Sequence, residues 1–352
     1  MSILYVILGI LLFGLLIVVH ELGHFSLAKL CGVRVEEFAV GMGPTLFKRQ
    51  HGETLYSLRA IPFGGFCAMA GEDEDSDDPR AFTSKPAWQR ALILAAGSFN
   101  NFVLGLVIVM ILYSGAAAFR APVIAQFRED CPYQGQDALQ VGDRFHSIDG
   151  KRVYMYQDVN ELLSKGDGVH DIVVIREGEK HLLEDFDFRP ILYPGESQKL
   201  YGFYMGLEEA TFANKLRYSW NTTMEFGRWV WMGLSELVSG RVGVQDMAGP
   251  VGIVGMMAET GQQAASAGDA LYSIFYLTAF IAVNLALMNM LPIPALDGGR
   301  IFLLAVTWLI ESITHKKLNS KYEGYIHAAG MILLLGLMAF VMLNDIFRIV
   351  TK

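Results

Sequence analysis

Residues 3–25 read ILYVILGILLFGLLIVVHELGHF, an apolar run of about seventeen residues that passes without a break into His20, Glu21 and His24. At 1.5 Å per residue, a helix through this run carries His20 about 26 Å along its axis, near the far side of an apolar bilayer core about 30 Å thick. Ionisable groups at that depth are expensive and therefore functional by default. The run has no basic leader and no small-residue cleavage pattern, so it reads as a retained transmembrane helix and not a signal peptide.

The rest of the chain agrees with a membrane setting. Of 352 residues 53% are hydrophobic, and mean hydropathy is positive. With residues 3–30, the segments 91–119, 271–291 and 325–346 reach the roughly twenty apolar residues that a span requires. They predict a multi-pass α-helical membrane protein with about four transmembrane helices. A fifth apolar stretch, 301–310, is too short to span and reads as a surface-lying or re-entrant helix. The net charge of −8 comes with no basic stripe able to neutralise phosphates, which argues against a nucleic-acid partner. Many acids fall in GEDEDSDD, Gly71 to Asp78, the pattern of a solvated loop. Cys31, Cys67 and Cys131 are too few and too scattered for a disulfide framework or a zinc knuckle.

Residues 121–268 have ordinary globular composition. Within them DALQVGDRFHSIDGKRVYMYQDVNELL predicts a strand, a turn at Asp149 and Gly150, a second strand, and an amphipathic helix over 156–163. HDIVVIREGEKHLLEDF predicts a hairpin turning at Glu177 and Gly178. This is an inserted α+β domain on one side of the membrane. Residues 214–237, rich in Trp, Phe and Met, predict a helix lying in the interface as an aromatic belt. The expected organisation is a first membrane half at 1–119 with a β region at 36–70, the α+β domain at 120–205, an interfacial helical segment at 206–268, and a second membrane half at 269–352.

Orientation follows from the basic residues in the short connections. Arg34, Lys48, Arg49, Arg59, Arg80, Lys85 and Arg90 lie between the first two spans, and Arg300, Lys316, Lys317 and Lys321 between the last two. Both connections are expected in the cytoplasm, which leaves the termini and the inserted domain outside.

Four residues of helix turn through about 400° and rise 6 Å, so His20 and His24 stack on one face and can grip one zinc ion. Glu21 stands about 100° round the helix, too far to be a natural third ligand but within reach of a water at the metal, which makes it the candidate general base. HExxH occurs by chance in about one chain of this length per hundred. The third ligand is sought in NMLPIPALDGGR, Asn289 to Arg300: Pro292 and Pro294 end the third span, and Asp297 follows in a loop with Gly298 and Gly299. Asp297 would otherwise be a helix N-cap. Both the first and third spans run from outside to inside, so His20, His24 and Asp297 arrive on the same side. Asn101, Asn284 and Asn289 are polar residues within spans; they either tie helices together or, for Asn289 above all, steady a substrate carbonyl. The rival classes are a non-proteolytic membrane metal-binding scaffold or transporter, which leaves Glu21 without a task, and a tethered peptidase facing outward, which the basic residues oppose.

HELGH in the first span, PFGGF at 62–66, MAGE at 69–72, AGSFNNF in the second span, VGDRFHSIDG in the inserted domain and NMLPIPALDGG together resemble the site-2 protease family, peptidase family M50. The likeness is to its bacterial RseP/RasP-type intramembrane zinc metalloproteases, in the form with a single PDZ domain, and it covers nearly the whole chain. Ala96 to Ser98 reads AGS where the family has AGP. The resemblance implies one zinc ion on His20, His24 and Asp297, water activation by Glu21, and support of substrate or transition state by Asn289. It implies a membrane-associated β region, with Gly41 and Gly43 of GMGP and Gly64 and Gly65 of PFGGF, that offers an edge strand to an unwound substrate; a substrate contact for Asn101 rests only on its being a polar residue within a span. It also implies a bacterial cytoplasmic-membrane location and transmembrane proteins or peptides as substrates within the lipid bilayer. Oligomeric state is left open.

Overall fold

Helix α1 (Ile3–Leu30) is apolar on every face until His20, yet only one side of it is covered. Leu12, Phe13 and Leu16 are buried, while Ile3, Ile7, Leu11 and Leu15 stand open at four-residue spacing. A helix of this kind belongs where its open face meets lipid and its backbone groups are all satisfied internally. The computed structural model describes residues 3–72, 76–243, 249–315 and 321–351. Part of the acidic run expected as a solvated loop, 73–75, and the basic residues at 316 and 317 lie outside the described residues.

After α1 come β1 (Val35–His51), β2 (Thr54–Met69), α2 (Ala87–Ser114), β3 (Ala118–Phe127), β4 (Arg144–Ile148), β5 (Lys151–Arg152), α3 (Tyr156–Leu163), β6 (Val169–Arg176), β7 (Glu179–Asp187), β8 (Ile191–Leu192), β9 (Lys199–Leu200) and β10 (Phe203–Glu209). Helices α4 (Phe212–Val238), α5 (Pro250–Gln263), α6 (Ala267–Asn289), α7 (Asp297–Thr314) and α8 (Lys321–Thr351) complete the chain. Among the described residues four helices are long and apolar enough to cross a membrane: α1, α2, α6 and residues 324–345 of α8. The second span ends at Ser114, five residues before the expected 119, because AFRAPVIAQF alternates buried and open positions and pairs as β3. Helix α7 has 18 residues and is longer than the apolar stretch 301–310 that marks it.

The chain divides into two compact units, 1–112 with 222–352, and 113–221. In the first, Leu16 of α1, Met257 of α5, and Ile281 and Ala282 of α6 form one buried cluster. Helix α5 was not legible as a separate element; its N-terminus is closed from α8, where the buried Asp345 carboxylate accepts from the backbone N–H groups of Gly249 (3.0 Å) and Gly252 (2.8 Å). An acid placed there satisfies two of the donors that a helix start leaves open.

The β1–β2 pair folds on itself. Residues 37–40 have two sets of partners, falling from Ala68 to Gly65 on one side and rising from Leu55 to Leu58 on the other. The distal part of β1, 45–51, pairs with 54–59 as a hairpin. Val35 to Val40 is therefore an interior strand and Gly65 to Met69 an edge strand. The bends fall at Gly41, Gly43 and Gly64, with φ of 85°, 81° and 96°, where residues with a Cβ are strained.

The second unit is a sheet in the order β10-β3-β4-β6-β7, with β5 paired to β4 and α3 packed on it. Its two hairpin turns place Asp149 and Gly150, and Glu177 and Gly178, all at positive φ, as Asp-Gly and Glu-Gly two-residue turns require. Ile124, Phe145, Ile148, Val159, Ile172, Val174 and Phe188 make its core. Asp143 is buried there and grips Arg176 through two 2.8 Å hydrogen bonds, the bidentate form in which a buried carboxylate is tolerated.

Candidate metal centre

Two helices of the first unit meet at one point. Helix α1 supplies His20 and His24 on one face, and α7 supplies Asp297, which is the first residue of that helix and not part of the loop before it; Leu296 takes the N-cap position. His24 Nε2 lies 3.2 Å from His20 Nε2, and Asp297 Oδ2 lies 3.2 Å and 3.4 Å from the Nε2 atoms of His20 and His24. Two ligand atoms each about 2.0–2.1 Å from a tetrahedral ion stand about 3.3–3.4 Å apart. The triangle thus has the size of one face of such a coordination sphere, with the fourth vertex open. Asp297 Oδ2 is buried without a hydrogen-bond partner, and with the two imidazole Nε2 atoms it makes a set of three ligand atoms that one divalent cation can satisfy.

The close approach of α1 and α2 fixes the imidazoles. His24 Nδ1 donates to the Ile93 carbonyl of α2 at 2.8 Å, which sets the tautomer and leaves Nε2 with its lone pair toward the cluster. Two glycines make this possible. A Cβ at Gly23 would stand 2.4 Å from the Ala96 carbonyl oxygen, and a Cβ at Gly97 would stand 2.4 Å from His24 Nε2. Asn100 adds a link by donating to the Val19 carbonyl at 3.3 Å.

The α6–α7 loop is held with similar tightness. Hydrogen bonds from Ile293 to Leu291 and from Leu296 to Ile293 coil it, and a Cβ at Gly298 or Gly299 would run into the backbone of Met290 or Ile293 at 2.3 Å and 2.0 Å. The glycine pair therefore lets the first turn of α7 lie against the loop that precedes it, which brings Asp297 back toward α1.

A cavity of about 480 Å³ opens on this cluster. Its wall includes His20, Glu21, His24, Asn289, Asp297 and the edge strand from Gly65 to Met69. Glu21 faces the Cys67 backbone N–H of that strand, and Gly65 packs against its side chain. Asn289 Nδ2 is 3.5 Å from His20 Nε2. Across the cavity Arg300, one turn after Asp297, pairs with Glu72 just beyond the edge strand. Gly41, Gly43 and Gly64 shape the sheet but do not line the cavity. Asn101 does not line it either: it is 1% exposed in α2, and its Oδ1 is buried without a hydrogen-bond partner.

Gly23, Gly97, the Ile93 carbonyl and the Glu72–Arg300 pair were not singled out from the sequence. The glycines carried a signal, since small residues in two spans allow backbones to approach. The carbonyl and the ion pair depend on contacts distant in sequence and carried none.

Comparison with known proteins agrees with this geometry. The pattern described as peptidase family M50 matches residues 8–337. A Clostridium perfringens protein named as a zinc metalloprotease is 38% identical over 345 residues, covering 97% of this chain and 98% of its own. A similarly named Clostridium acetobutylicum protein is 35% identical, with 98% of each chain covered. The regulator of sigma-W protease RasP of Bacillus subtilis is 28% identical, again with 98% of each covered. With the pattern spanning nearly the whole chain and the zinc-type ligand triangle inside it, this protein belongs to peptidase family M50, the site-2 protease family of zinc metalloproteases.

Proposed function

We propose that the protein hydrolyses peptide bonds in the transmembrane segments of single-pass membrane proteins, with His20, His24 and Asp297 as zinc ligands and Glu21 as general base. The observation that carries this reading is the placement of Glu21 and an open sheet edge in the same cavity as the ligand triangle. Zinc, when bound, supplies Lewis acidity toward a carbonyl and makes water acidic near neutral pH. Glu21 takes the proton of the attacking water and returns it to the leaving amine. Asn289 steadies the polarised carbonyl.

A helical substrate hides its carbonyls in its own hydrogen bonds, so it must unwind before it is cut. The edge strand Gly65 to Met69 offers main-chain partners that hold the unwound segment without demanding one sequence. The substrate class is anti-sigma factors or remnant signal peptides, in line with the sigma-W regulator among the relatives. The protein sits in the bacterial cytoplasmic membrane with both termini outside and the site toward the cytoplasm. The inserted unit is a PDZ-like domain outside the membrane that filters or recruits substrates.

Glu21→Gln is the test. It keeps the carbonyl oxygen and the size of the side chain but cannot accept the proton. It is expected to retain zinc while losing at least about 10²–10⁴-fold in cleavage of a reconstituted transmembrane substrate, the range of general-base contributions. Near wild-type cleavage by this variant would remove Glu21 from the mechanism.

A further inference from the structure

A second cavity, of about 240 Å³, lies wholly within the inserted unit and away from the zinc ligands. It is smaller than the roughly 300–1,000 Å³ usual for whole organic ligands, and suits a compact charged group. Arg144, His146, Arg152 and Arg217 stand on its wall. Glu208 is shared by Arg144 at 3.1 Å and Arg217 at 2.5 Å. Arg152 instead lies against His146, 2.6 Å from Nδ1, and among the described residues it pairs with no carboxylate. Three guanidinium groups thus face one acid in a chain whose net charge is −8. Burial, Arg152 and Lys180 all hold His146 below its ordinary pKa, so the imidazole does not share the cavity's charge as a cation at neutral pH. An anion placed between Arg152 and Arg217 would relieve this imbalance.

The surroundings of the cavity say which anion. Arg217 and Asn221 come from the first turns of α4, and on the flank of those turns Phe212, Leu216 and Trp220 follow at four-residue spacing, 79%, 39% and 50% exposed. That spacing makes an apolar stripe directly beside the charged cavity. Lys215, between them, donates to the carbonyl of Ser114, the last residue of the α2 span, at 2.5 Å. The start of α4 is thereby tied to the point where the chain leaves the membrane. A helix that crosses a bilayer ends among the headgroup phosphates, so Ser114, as the last residue of such a helix, is the residue of this unit expected to meet them. A soluble anion would use the arginines alone and leave the stripe bare; an amphiphile uses both.

We propose that the cavity lined by Arg144, His146, Arg152 and Arg217 binds the phosphate of a membrane phospholipid whose acyl chains lie along Phe212, Leu216 and Trp220. The site needs no peptide cleavage and stands or falls apart from the proteolytic reading. It anchors the inserted unit at the bilayer surface through a lipid headgroup.

The test uses the full-length protein, freed of lipid in detergent and titrated with dioleoylphosphatidylglycerol under native mass spectrometry. Arg152→Gln keeps bulk and removes charge; it is expected to weaken lipid binding about fivefold or more, near the worth of one basic residue at a membrane surface. Trp220→Ala is expected to weaken it as well, through the acyl chains. Inorganic phosphate, tested alone and as competitor at 50 mM, is expected neither to raise the thermal midpoint nor to displace the lipid. Unchanged lipid binding in Arg152→Gln and in a second variant, Arg217→Gln, overturns the proposal. So does displacement by inorganic phosphate with no effect of Trp220→Ala, which would make the cavity a site for free phosphate.

Discussion

Gly97→Ala should disable the metal centre without touching a ligand. The new Cβ would lie 2.4 Å from His24 Nε2 and 2.7 Å from His20 Cε1, whereas ordinary contact begins at 3.4 Å. The difference, 3.4 − 2.4, demands about 1 Å of movement from atoms that zinc holds to within about 0.2 Å. The His24 ring has little room to yield. His24 is tied at 2.8 Å to Ile93 on the same helix as the new methyl, and α1 cannot retreat as a body without losing the Gly23 contact with Ala96. Loss of such support typically lowers metal affinity about 10–100-fold, and a 1 Å misplacement of reacting groups lowers rate about 100-fold. Zinc affinity, measured by chelator competition in detergent, should fall by that factor, and cleavage of a reconstituted substrate by about 100-fold or more. Gly115→Ala, just past the same helix, meets nothing within 4 Å and should change neither. If Gly97→Ala bound zinc as tightly as the parent, the approach of α1 and α2 would not be what positions the imidazoles.

Two further perturbations separate the parts of the molecule. Arg300→Ala should reduce cleavage about tenfold or more with zinc retained, because the pair with Glu72 joins the end of the edge strand to the turn that carries Asp297; the exchanged pair, Glu72→Arg with Arg300→Glu, should recover most of the loss, and failure to recover would mean the pair does not act as a link. In the inserted unit, burial pushes the Glu208 carboxyl up, but Arg144 and Arg217 outweigh it and hold the carboxyl below its ordinary 4.5. A lowered folded-state pKa means that Glu208 adds stability above pH 4.5 and that this is lost as pH falls through the folded value. Protection of amides over 113–221, corrected for the intrinsic exchange rate at each pH, should therefore fall from pH 5 to pH 3 more in the parent than in Glu208→Gln; equal slopes would refute the assignment.

Much of the site was legible because its chemistry is incompatible with its surroundings. Two histidines and a glutamate in an apolar helix, and an aspartate beside a glycine pair at the end of another, stand out against lipid, and their helical spacing and common orientation bring them together on paper. The turns at Asp149–Gly150 and Glu177–Gly178 were readable for a similar reason, since few residues accept positive φ. What could not be read depends on tertiary contact. Helix α5, PVGIVGMMAETGQQ, carries three glycines that weaken any helical reading; its existence as an element rests on packing against Leu16 and Ile281 and on the Asp345 cap. The folding back of β1, which turns Gly65 to Met69 into an edge, is set by paired register and not by composition. Of the two readings that a polar residue in a span leaves open, helix packing or substrate contact, Asn101 lies buried in α2 away from the cavity wall, while Asn289 reaches the cavity.

The most direct measurement is X-ray absorption at the zinc edge on the purified full-length protein, with metal content determined on the same sample. Two imidazole nitrogens and one carboxylate oxygen at about 2.0–2.1 Å are expected, one ion per chain, lost in Asp297→Ala. A sulfur scatterer at about 2.3 Å, which would point to Cys67 on the cavity wall, or active protein without zinc, would contradict the account.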